Sequence, residues 1–287
     1  MIKKSFTVCR TSYIRWLLNS RILIFGFAYM FMYVYFIQPY KEMSVFFNTP
    51  INAFEPFSAL ANNEFFLPLV AITYMILICD QPRLDDSATF ILFRTGRSSW
   101  ILGQIFFLVA SSLTFILFLL FSSMLTVSKK SYVINAWGLI SRKSISPSYY
   151  PELALKYPYA IIDGSVINNV RPFMCVIHAI CLMLMFMLVV GLIMVIFTLY
   201  SKKIYAVFFN LTFVAAGLIL SYIDVKAKWL LPISNCAFKL HYDKLFDKTL
   251  VSIEFSYLYF SILCTILIIF CFVLSNRCSF HIVGGTE

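Results

Sequence analysis

The sequence has few charged residues. Asp, Glu, Lys and Arg together make up 13% of the chain, whereas hydrophobic residues make up 61% and the mean hydropathy is +0.86. A soluble globular domain carries about 25% charged residues and about 45–50% apolar ones. This shortage of charge excludes an ordinary soluble domain and indicates an integral membrane protein.

The sequence also lacks the short motifs of several enzyme classes. It contains no GxxxxGK[ST] loop for ATP phosphates, no HExxH zinc site, no GxSxG nucleophile elbow and no paired-glutamate pattern of membrane proteases. No cluster of acids, bases or nucleophiles stands in their place. We therefore expect this chain to have no catalytic role, no metal site and no cofactor of its own.

Paired cysteines outside the membrane are missing as well. Of the eight cysteines, only Cys236 lies in a segment predicted to be outside, so a disulfide scaffold is not expected. The formal net charge of +10 could suggest nucleic acid, but the basic residues are spread over both predicted sides and form no platform interleaved with aromatic residues. Membrane lipid with anionic headgroups is the simpler partner.

Six apolar stretches are long enough, or nearly so, to cross a bilayer core of about 30 Å as helices. They are residues 22–37, 65–79, 100–127, 173–200, 204–223 and 255–274. The second is short and must borrow residues 57–64 or be shielded by its neighbours. Basic residues are denser in the segments assigned to the inside. The prediction is an all-α polytopic protein with six transmembrane helices, both termini cytoplasmic, and residues 1–287 as one transmembrane domain.

Residues 1–20 predict an amphipathic helix. At about 100° per residue, Phe6, Tyr13, Trp16 and Leu17 fall on one arc, and the basic residues lie off that arc. A basic helix with such an apolar side would lie along the inner membrane surface. The alternative is a disordered tail that contributes only positive charge.

Residues 80–99 separate the second and third spans and predict a short cytoplasmic helix. Pro82 ends the helix that leaves the membrane, and Gly96 can end a new helix because it tolerates positive φ. Asp85 or Asp86 can cap the start of that helix. The segment is therefore predicted to be a helical finger rather than a loop.

The finger carries Phe90 and Phe93, which have no evident reason to lie in a cytosolic loop. Full burial of a large apolar side chain is worth about 1.5–3 kcal/mol, so leaving both exposed is costly. The pair indicates a protein partner that covers it. The alternative is a helix that folds back onto the lipid interface.

Two long loops are assigned to the outside. Residues 128–171 contain several prolines and tyrosines and predict a small ordered cap rather than a domain with its own core. Residues 224–254 have an apolar centre at 229–233 that is too short to cross a membrane. It predicts a re-entrant or interface-lying pair of helices.

Two ionisable residues within or beside the spans are candidates for a substrate path. His178 lies well inside the fourth span, and Glu64 lies at the outer end of the second. For His178 the alternative is a hydrogen bond to a neighbouring helix. For Glu64, which could contact a cationic substrate, the alternative is a position among lipid headgroups.

The chain resembles the permease subunits of ABC-2 type (type V) ABC transporters, in particular the divergent branch of Gram-positive bacteria. Residues 93–100, FRTGRSSW, are similar to the Arg-x-Gly-[Arg/Ser]-x-x-Trp stretch that follows the coupling helix in that family. Residues 135–138, NAWG, give a weaker similarity. The order of an N-terminal interfacial helix, six spans and one substantial inner loop also resembles the family.

The resemblance implies a separate ATPase subunit, working as a dimer, that binds ATP and Mg²⁺ and receives the finger in a surface cleft. The residues it assigns to this coupling are Asp86, Phe90, Phe93, Arg94 and Arg97. It also implies a second permease chain, identical or paralogous, in a bacterial cytoplasmic membrane. The expected substrate is an exported peptide, antimicrobial or lipid-like molecule, and the long outer loops leave substrate and direction open.

A function of another class is also compatible with the sequence. A membrane-embedded peptide sensor or immunity protein would bind its ligand through the outer loops without ATP coupling. An ATPase that co-purifies with the chain distinguishes the two hypotheses.

Overall fold

The structure is a computed structural model that describes residues 1–82, 86–144, 150–200, 202–243 and 248–277. Helices make up nearly all of its regular secondary structure. Within these ranges the helices are α1 Ile2–Leu17, α2 Ile24–Met32, α3 Gln38–Phe47, α4 Glu55–Asn62, α5 Phe66–Ile78, α6 Asp86–Thr95, α7 Arg97–Val127, α8 Leu139–Ser144, α9 Pro151–Lys156, α10 Gly164–Asn169, α11 Pro172–Leu199, α12 Lys203–Ile223, α13 Pro232–Cys236 and α14 Ile253–Arg277. Two short strands, β1 Ile51–Asn52 and β2 Ser131–Tyr132, pair in parallel.

Five helical stretches of the described chain are long and apolar enough to cross a membrane. They are Ser20–Phe47, Arg97–Lys130, Pro172–Leu199, Lys203–Ile223 and Ile253–Arg277, and a sixth is reached if the bent pair α4 and α5 counts as one span. The predicted all-α multi-span membrane fold is confirmed. The first span is longer than predicted, because a π-helical turn, Tyr33–Ile37, joins α2 to α3 without a break.

Helix α11 lies at the centre of the bundle. It packs against α4, α5, α7, α12 and α14. Within its most apolar 18-residue stretch, 67% is buried inside the protein. A helix that is apolar on all sides has no polar face to direct towards water, so it is stable only when other helices or lipid surround it. The remaining spans are arranged around α11 and bury smaller shares of their surfaces.

The second predicted span is a bent pair rather than one helix. Helices α4 and α5 meet at 90° across residues 63–65, and Asn63 Oδ1 accepts a hydrogen bond of 3.0 Å from the backbone N–H of Phe65. Helix α5 has 13 residues and is therefore only about 20 Å long. Every residue of α4 is buried, so α4 turns across the bundle into its interior.

The helix ends are gathered at two opposite ends of the bundle. At the α6 end, Lys4 Nζ lies 3.4 Å from the carbonyl oxygen of Arg94, and Arg97 contacts the last turn of α14. At the loop end, residues of the α4–α5 bend contact both long loops, through Asn63 with the first loop and Glu64 with the second. The two loops assigned to one side therefore meet at one end.

The two long loops form short helices that pack on the bundle. The first contributes α8, α9 and α10, as expected for a small ordered cap. The second forms a 3-10 helix, Lys226–Leu230, followed by α13. The predicted pair of short helices is present, and of its two predicted placements, re-entrant or interface-lying, the second does not describe α13. All five residues of α13 are buried, and α13 packs against α11, α12 and α14.

Candidate functional site

The predicted finger is a helix, α6, that projects between α5 and α7. The backbone N–H of Gly96 donates to the carbonyl of Leu92 at 2.8 Å, and Gly96 then adopts φ +86° before α7 begins at Arg97. Glycine lacks a Cβ and adopts such a backbone angle readily, whereas few L-residues do so without strain. The predicted finger helix and its glycine stop are both confirmed.

Among the side chains of α6 that the structure describes, one apolar side chain is buried and two aromatic ones are exposed. Leu92 is buried against the rest of the protein, whereas Phe90 is 77% exposed and Phe93 is 80% exposed. Three residues apart on a helix, they lie close to one another on one face. The result is a small aromatic surface, which we call the Phe90–Phe93 patch.

The charged residues assigned to the finger have different surroundings. Arg94 is exposed beside the patch. Arg97, which the resemblance assigns to coupling, donates from Nη1 to the carbonyls of Ser275 and Asn276 at 3.2 and 2.8 Å. A cation bound to the last carbonyls of a helix complements the negative end of its dipole. Arg97 therefore ties α7 to α14.

Asp86 begins α6, and its side chain lies outside the described residues, as does Asp85.

Helix α1 forms as predicted, but the face that it buries differs from the predicted arc. Phe6 and Leu17 are exposed, whereas Trp16 is only 2% exposed and donates from Nε1 to the Leu77 carbonyl at 3.0 Å. Tyr13 is half-buried, and its hydroxyl lies 2.7 Å from Thr114 Oγ1 of α7. Placing Trp16 on a lipid-facing side was wrong, because small side chains let α1 pack lengthwise on α7.

That packing depends on a close approach of the two helices. Ser5, Val8 and Ser12 are buried on the side of α1 that faces α7. A Cβ at Gly103 would lie 2.6 Å from Val8 Cβ, so a side chain other than hydrogen at this position would push α1 away. Small residues at helix interfaces allow such backbone proximity. The disordered-tail alternative for residues 1–20 does not hold.

Glu64 forms an ion pair within the protein. Its Oε1 lies 3.1 Å from Lys239 Nζ, and the two side chains are 13% and 17% exposed, respectively. Lys239 belongs to the second long loop, so the pair joins that loop to the α4–α5 bend. The alternative of a headgroup-level Glu64 does not describe this arrangement.

His178 has the partner that its alternative interpretation expected. Its Nδ1 lies 2.9 Å from the Tyr257 hydroxyl of α14, and its ring stacks on Phe238 with 5.7 Å between centroids. This hydrogen bond to a neighbouring helix is confirmed. A role of His178 in a substrate path has no support from these contacts.

Glu55 is a buried acid that the sequence did not single out. It is fully buried at the start of α4, and its Oε1 accepts a 2.6 Å hydrogen bond from the backbone N–H of Gly138. Its Oε2 has no hydrogen-bond partner among the described residues. The signal that could have located this contact is the NAWG segment at 135–138, which lies against Glu55 and Asn52.

His241 is a second buried titratable residue, in the second long loop. Its Nδ1 lies 3.2 Å from the Val251 carbonyl and its Nε2 lies 3.3 Å from Ser256 Oγ. Burial lowers the pKa of His241 from 6.5 to about 4, and the nearby positive charge of Lys228 acts in the same direction. The imidazole is therefore neutral in the folded protein at pH 7.

We expect His241 to make the protein less stable as the pH falls from about 6.5 to about 4. In this window the unfolded chain binds a proton at His241 that the folded chain does not, and the loss is on the order of 3 kcal/mol. In His241→Gln this contribution is absent. Thermal unfolding in detergent at pH 7, 6, 5 and 4 should therefore show a shallower decline for the variant. Parallel declines would contradict this assignment.

The described residues contain no group of three or more His, Cys, Asp or Glu side chains that could hold a metal ion. Their seven cysteines are free thiols, and Cys236 is buried. At the loop end, charged side chains line two cavities. At the α6 end, the Phe90–Phe93 patch is an exposed aromatic surface.

The two ends thus offer different candidate sites on one multi-span helical membrane protein. Searches against protein-family models, curated proteins and solved structures found no match to this chain.

Proposed function

We propose that this chain is the transmembrane permease subunit of an ATP-driven ABC transporter of the ABC-2 type. The observation that carries the proposal is the exposed Phe90–Phe93 patch on a short helix placed between two membrane helices. An aromatic surface of this kind is typical of the buried centre of a protein–protein interface. The proposed partner is an ATPase subunit that encloses α6 in a cleft.

The length of α7 supports a position of α6 outside the hydrocarbon. The helical stretch Arg97–Lys130 has 34 residues and is about 51 Å long, compared with a hydrocarbon core of about 30 Å. About 20 Å must therefore project beyond the core. Exposed Arg94 and Arg97 at one end and exposed Lys129 and Lys130 at the other favour a projection at both ends, so that a soluble ATPase can reach the patch at the α6 end.

The contacts of α6 provide a route for mechanical coupling. Helix α6 packs on α1 and α7, and Arg97 joins the start of α7 to the end of α14. A partner that moves α6 therefore moves α1 and α7 directly and α14 through Arg97, and both α7 and α14 pack on the central α11. In the proposed mechanism, ATP-driven closure of two ATPase subunits tilts these helices and opens a path between two permease chains.

The complete transporter contains partners that this chain does not supply. ATP and Mg²⁺ bind to the ATPase dimer, and a second permease chain, the same or paralogous, completes the path. The location is a bacterial cytoplasmic membrane with the α6 end inside. The substrate class is an exported peptide, antimicrobial or lipid-like molecule.

The proposal is tested by purifying the tagged chain from its native membrane in mild detergent. Mass spectrometry should find a P-loop ATPase in comparable amount, and the complex should hydrolyse ATP. Recovery of the intact chain without any such ATPase would overturn the proposal.

A second candidate function is favoured by the charged cavities at the loop end. A membrane-embedded peptide sensor or immunity protein would use them to bind its ligand without ATP coupling. For such a protein, substitution of Phe90 and Phe93 would leave ligand binding and function unchanged.

A further inference from the structure

The first span, which contains α2, lies beside helix α5 and contacts it near both membrane surfaces. At the α6 end, Arg21 Nη2 lies 2.9 Å from Asp80 Oδ1. At the loop end, the rings of Tyr35 and Phe66 pack with 5.0 Å between centroids, and the ring of Tyr159, from the first long loop, packs on both. An ion pair and an aromatic cluster therefore mark the two ends of this contact.

An apolar groove, which we call the α2–α5 groove, lies between the ion pair and the aromatic cluster. It has a volume of about 240 Å³. Among the lining residues that the structure describes, Thr73 alone has a polar side chain, and its Oγ1 donates to the Leu69 carbonyl of the same helix at 2.7 Å. The groove therefore suits an apolar ligand. Its walls come from α2, α4, α5 and α7 and include Ile24, Ala28, Phe31, Leu60, Val70 and Phe115.

The groove opens towards the hydrocarbon of the membrane. Phe27 and Phe31 of α2 and Leu69 and Ile76 of α5 line it and are exposed on the protein surface. Apolar side chains exposed in the middle of a span contact lipid tails. A second helix is about 10 Å across, so it could cover this recess only with single side chains, whereas an extended acyl chain can lie along it.

The ion pair and the aromatic cluster that frame the groove are close together along the membrane normal. About 14 residues separate Arg21 from Tyr35 in the first span, and about 14 separate Phe66 from Asp80 in the second, which corresponds to about 21 Å of helix. Tyrosine side chains in spans lie at the headgroup level, as do charged ones. The apolar face at the groove is therefore about 21 Å tall, compared with about 30 Å for an ordinary bilayer core.

The lipid-facing helices α12 and α14 are taller. Helix α12 runs from Lys203 to an exposed Asp224, about 31 Å, and α14 carries exposed Glu254 and Arg277 at its ends, about 35 Å apart. These lengths match an ordinary bilayer core, so the short face is a particular property of α2 and α5. A bilayer accommodates a short apolar face by thinning locally.

We propose that the α2–α5 groove is a binding site for one acyl chain of a membrane phospholipid, on a face where the protein thins the bilayer. The apolar walls and the opening to the hydrocarbon select the chain, and the two polar levels limit its length. The inference goes beyond the proposed permease function and does not depend on it, because the groove and its frame belong to this chain alone.

The experiment photolabels the full chain in phosphatidylcholine nanodiscs with increasing fractions of a phosphatidylcholine that carries a diazirine on one acyl chain. Mass spectrometry locates the labelled residues. Labelling of α2 and α5 in the groove should saturate at a low fraction of probe, whereas labelling of α12 and α14 should rise in proportion to the probe. A myristoyl probe should reach half-saturation at an about threefold lower fraction than an erucoyl probe, because a short chain matches a short apolar face.

Two variants fill the groove from opposite walls. Ala28→Phe fills it from α2 and Thr73→Phe fills it from α5, and in each folded variant labelling of the groove should lose its saturation. Ala215→Phe is the matched control, because Ala215 is exposed on α12 and lies outside the groove. It should leave the saturable labelling unchanged. Thermal unfolding in the nanodiscs confirms that each variant is folded.

Several outcomes would overturn the proposal. Proportional labelling of the groove in the native chain would show only the lipid that surrounds any membrane protein. No labelling of α2 and α5 would show that a second copy of the chain covers the groove. Saturation that survives in the folded groove variants or is lost in Ala215→Phe would place the bound chain elsewhere, and equal half-saturation for the two probes would contradict the thinned face.

The assay requires no ATPase, so its outcome is separate from the test of the permease function. An ATPase that co-purifies with a chain lacking saturable labelling overturns only the lipid site. Saturable labelling of a chain that recovers no ATPase supports the lipid site and overturns the transporter.

Discussion

Replacing both Phe90 and Phe93 with aspartate is expected to abolish association with the ATPase and all ATP-dependent function. If the patch is buried in a cleft, each phenylalanine contributes about 1.5–3 kcal/mol, so losing both weakens binding at least about a hundredfold. Aspartate adds the cost of moving a charge out of water. Co-purification of the ATPase and ATP hydrolysis by the purified complex measure the effect.

The double variant itself should fold normally. Both side chains are largely exposed, so the packing of α6 through Leu92 is retained. The matched control is Leu155→Asp, which changes an 83% exposed leucine on α9 at the loop end and should leave the ATPase bound. Unchanged ATPase recovery in the double variant would show that the patch is not the docking surface.

Glu55→Ala is expected to lower the free energy of unfolding strongly. The substitution leaves the Gly138 N–H without its acceptor and opens a cavity where α4 meets the first long loop. An unsatisfied buried donor costs about 1–3 kcal/mol and the cavity adds to this. A lowered temperature of thermal unfolding in detergent, with loss of monodisperse protein, would report it.

Glu55→Gln is the informative comparison. The amide oxygen still accepts from Gly138, and the variant places no carboxylate at a site where Oε2 has no partner among the described residues. We therefore expect Glu55→Gln to be at least as stable as the native protein at pH 7. If Gln and Ala destabilised equally, the Gly138 hydrogen bond would not explain the role of Glu55.

The membrane spans could be predicted from hydropathy because a helix is the way in which a single segment satisfies its own backbone in lipid. The predicted spans 100–127 and 204–223 match α7 and α12 within three residues at each end. The first span was predicted to end at residue 37 because polar residues follow. In the structure α3 continues to Phe47. Within α3, the Tyr40 hydroxyl forms a hydrogen bond with the Ser141 hydroxyl of α8, in the first long loop.

The finger was predictable for a local reason. A proline, a pair of aspartates and a glycine mark where a helix can begin and end, and these signals act over a few residues. The outcome for Arg97 shows the limit of such signals. Its partners are backbone carbonyls about 180 residues away in sequence, and neither periodicity nor capping identifies contacts of that range.

The loop-end site could be predicted only in part. Glu64 was selected as an ionisable residue beside a span, but its partner Lys239 lies in a different loop. Glu55 was missed because nothing in its neighbourhood marks it as buried. Burial of an acid depends on the 90° turn of α4 into the bundle, a tertiary arrangement that the composition of α4 does not specify.

The most direct test of the account captures the neighbour of α6 during turnover. The photoreactive residue p-benzoylphenylalanine in place of Phe93, in native membranes supplied with ATP, should cross-link on illumination to the ATPase subunit, whereas the same residue in place of Leu155 should not. Cross-links from position 93 to lipid alone, while the protein is active, would contradict the central claim that a nucleotide-driven partner encloses α6.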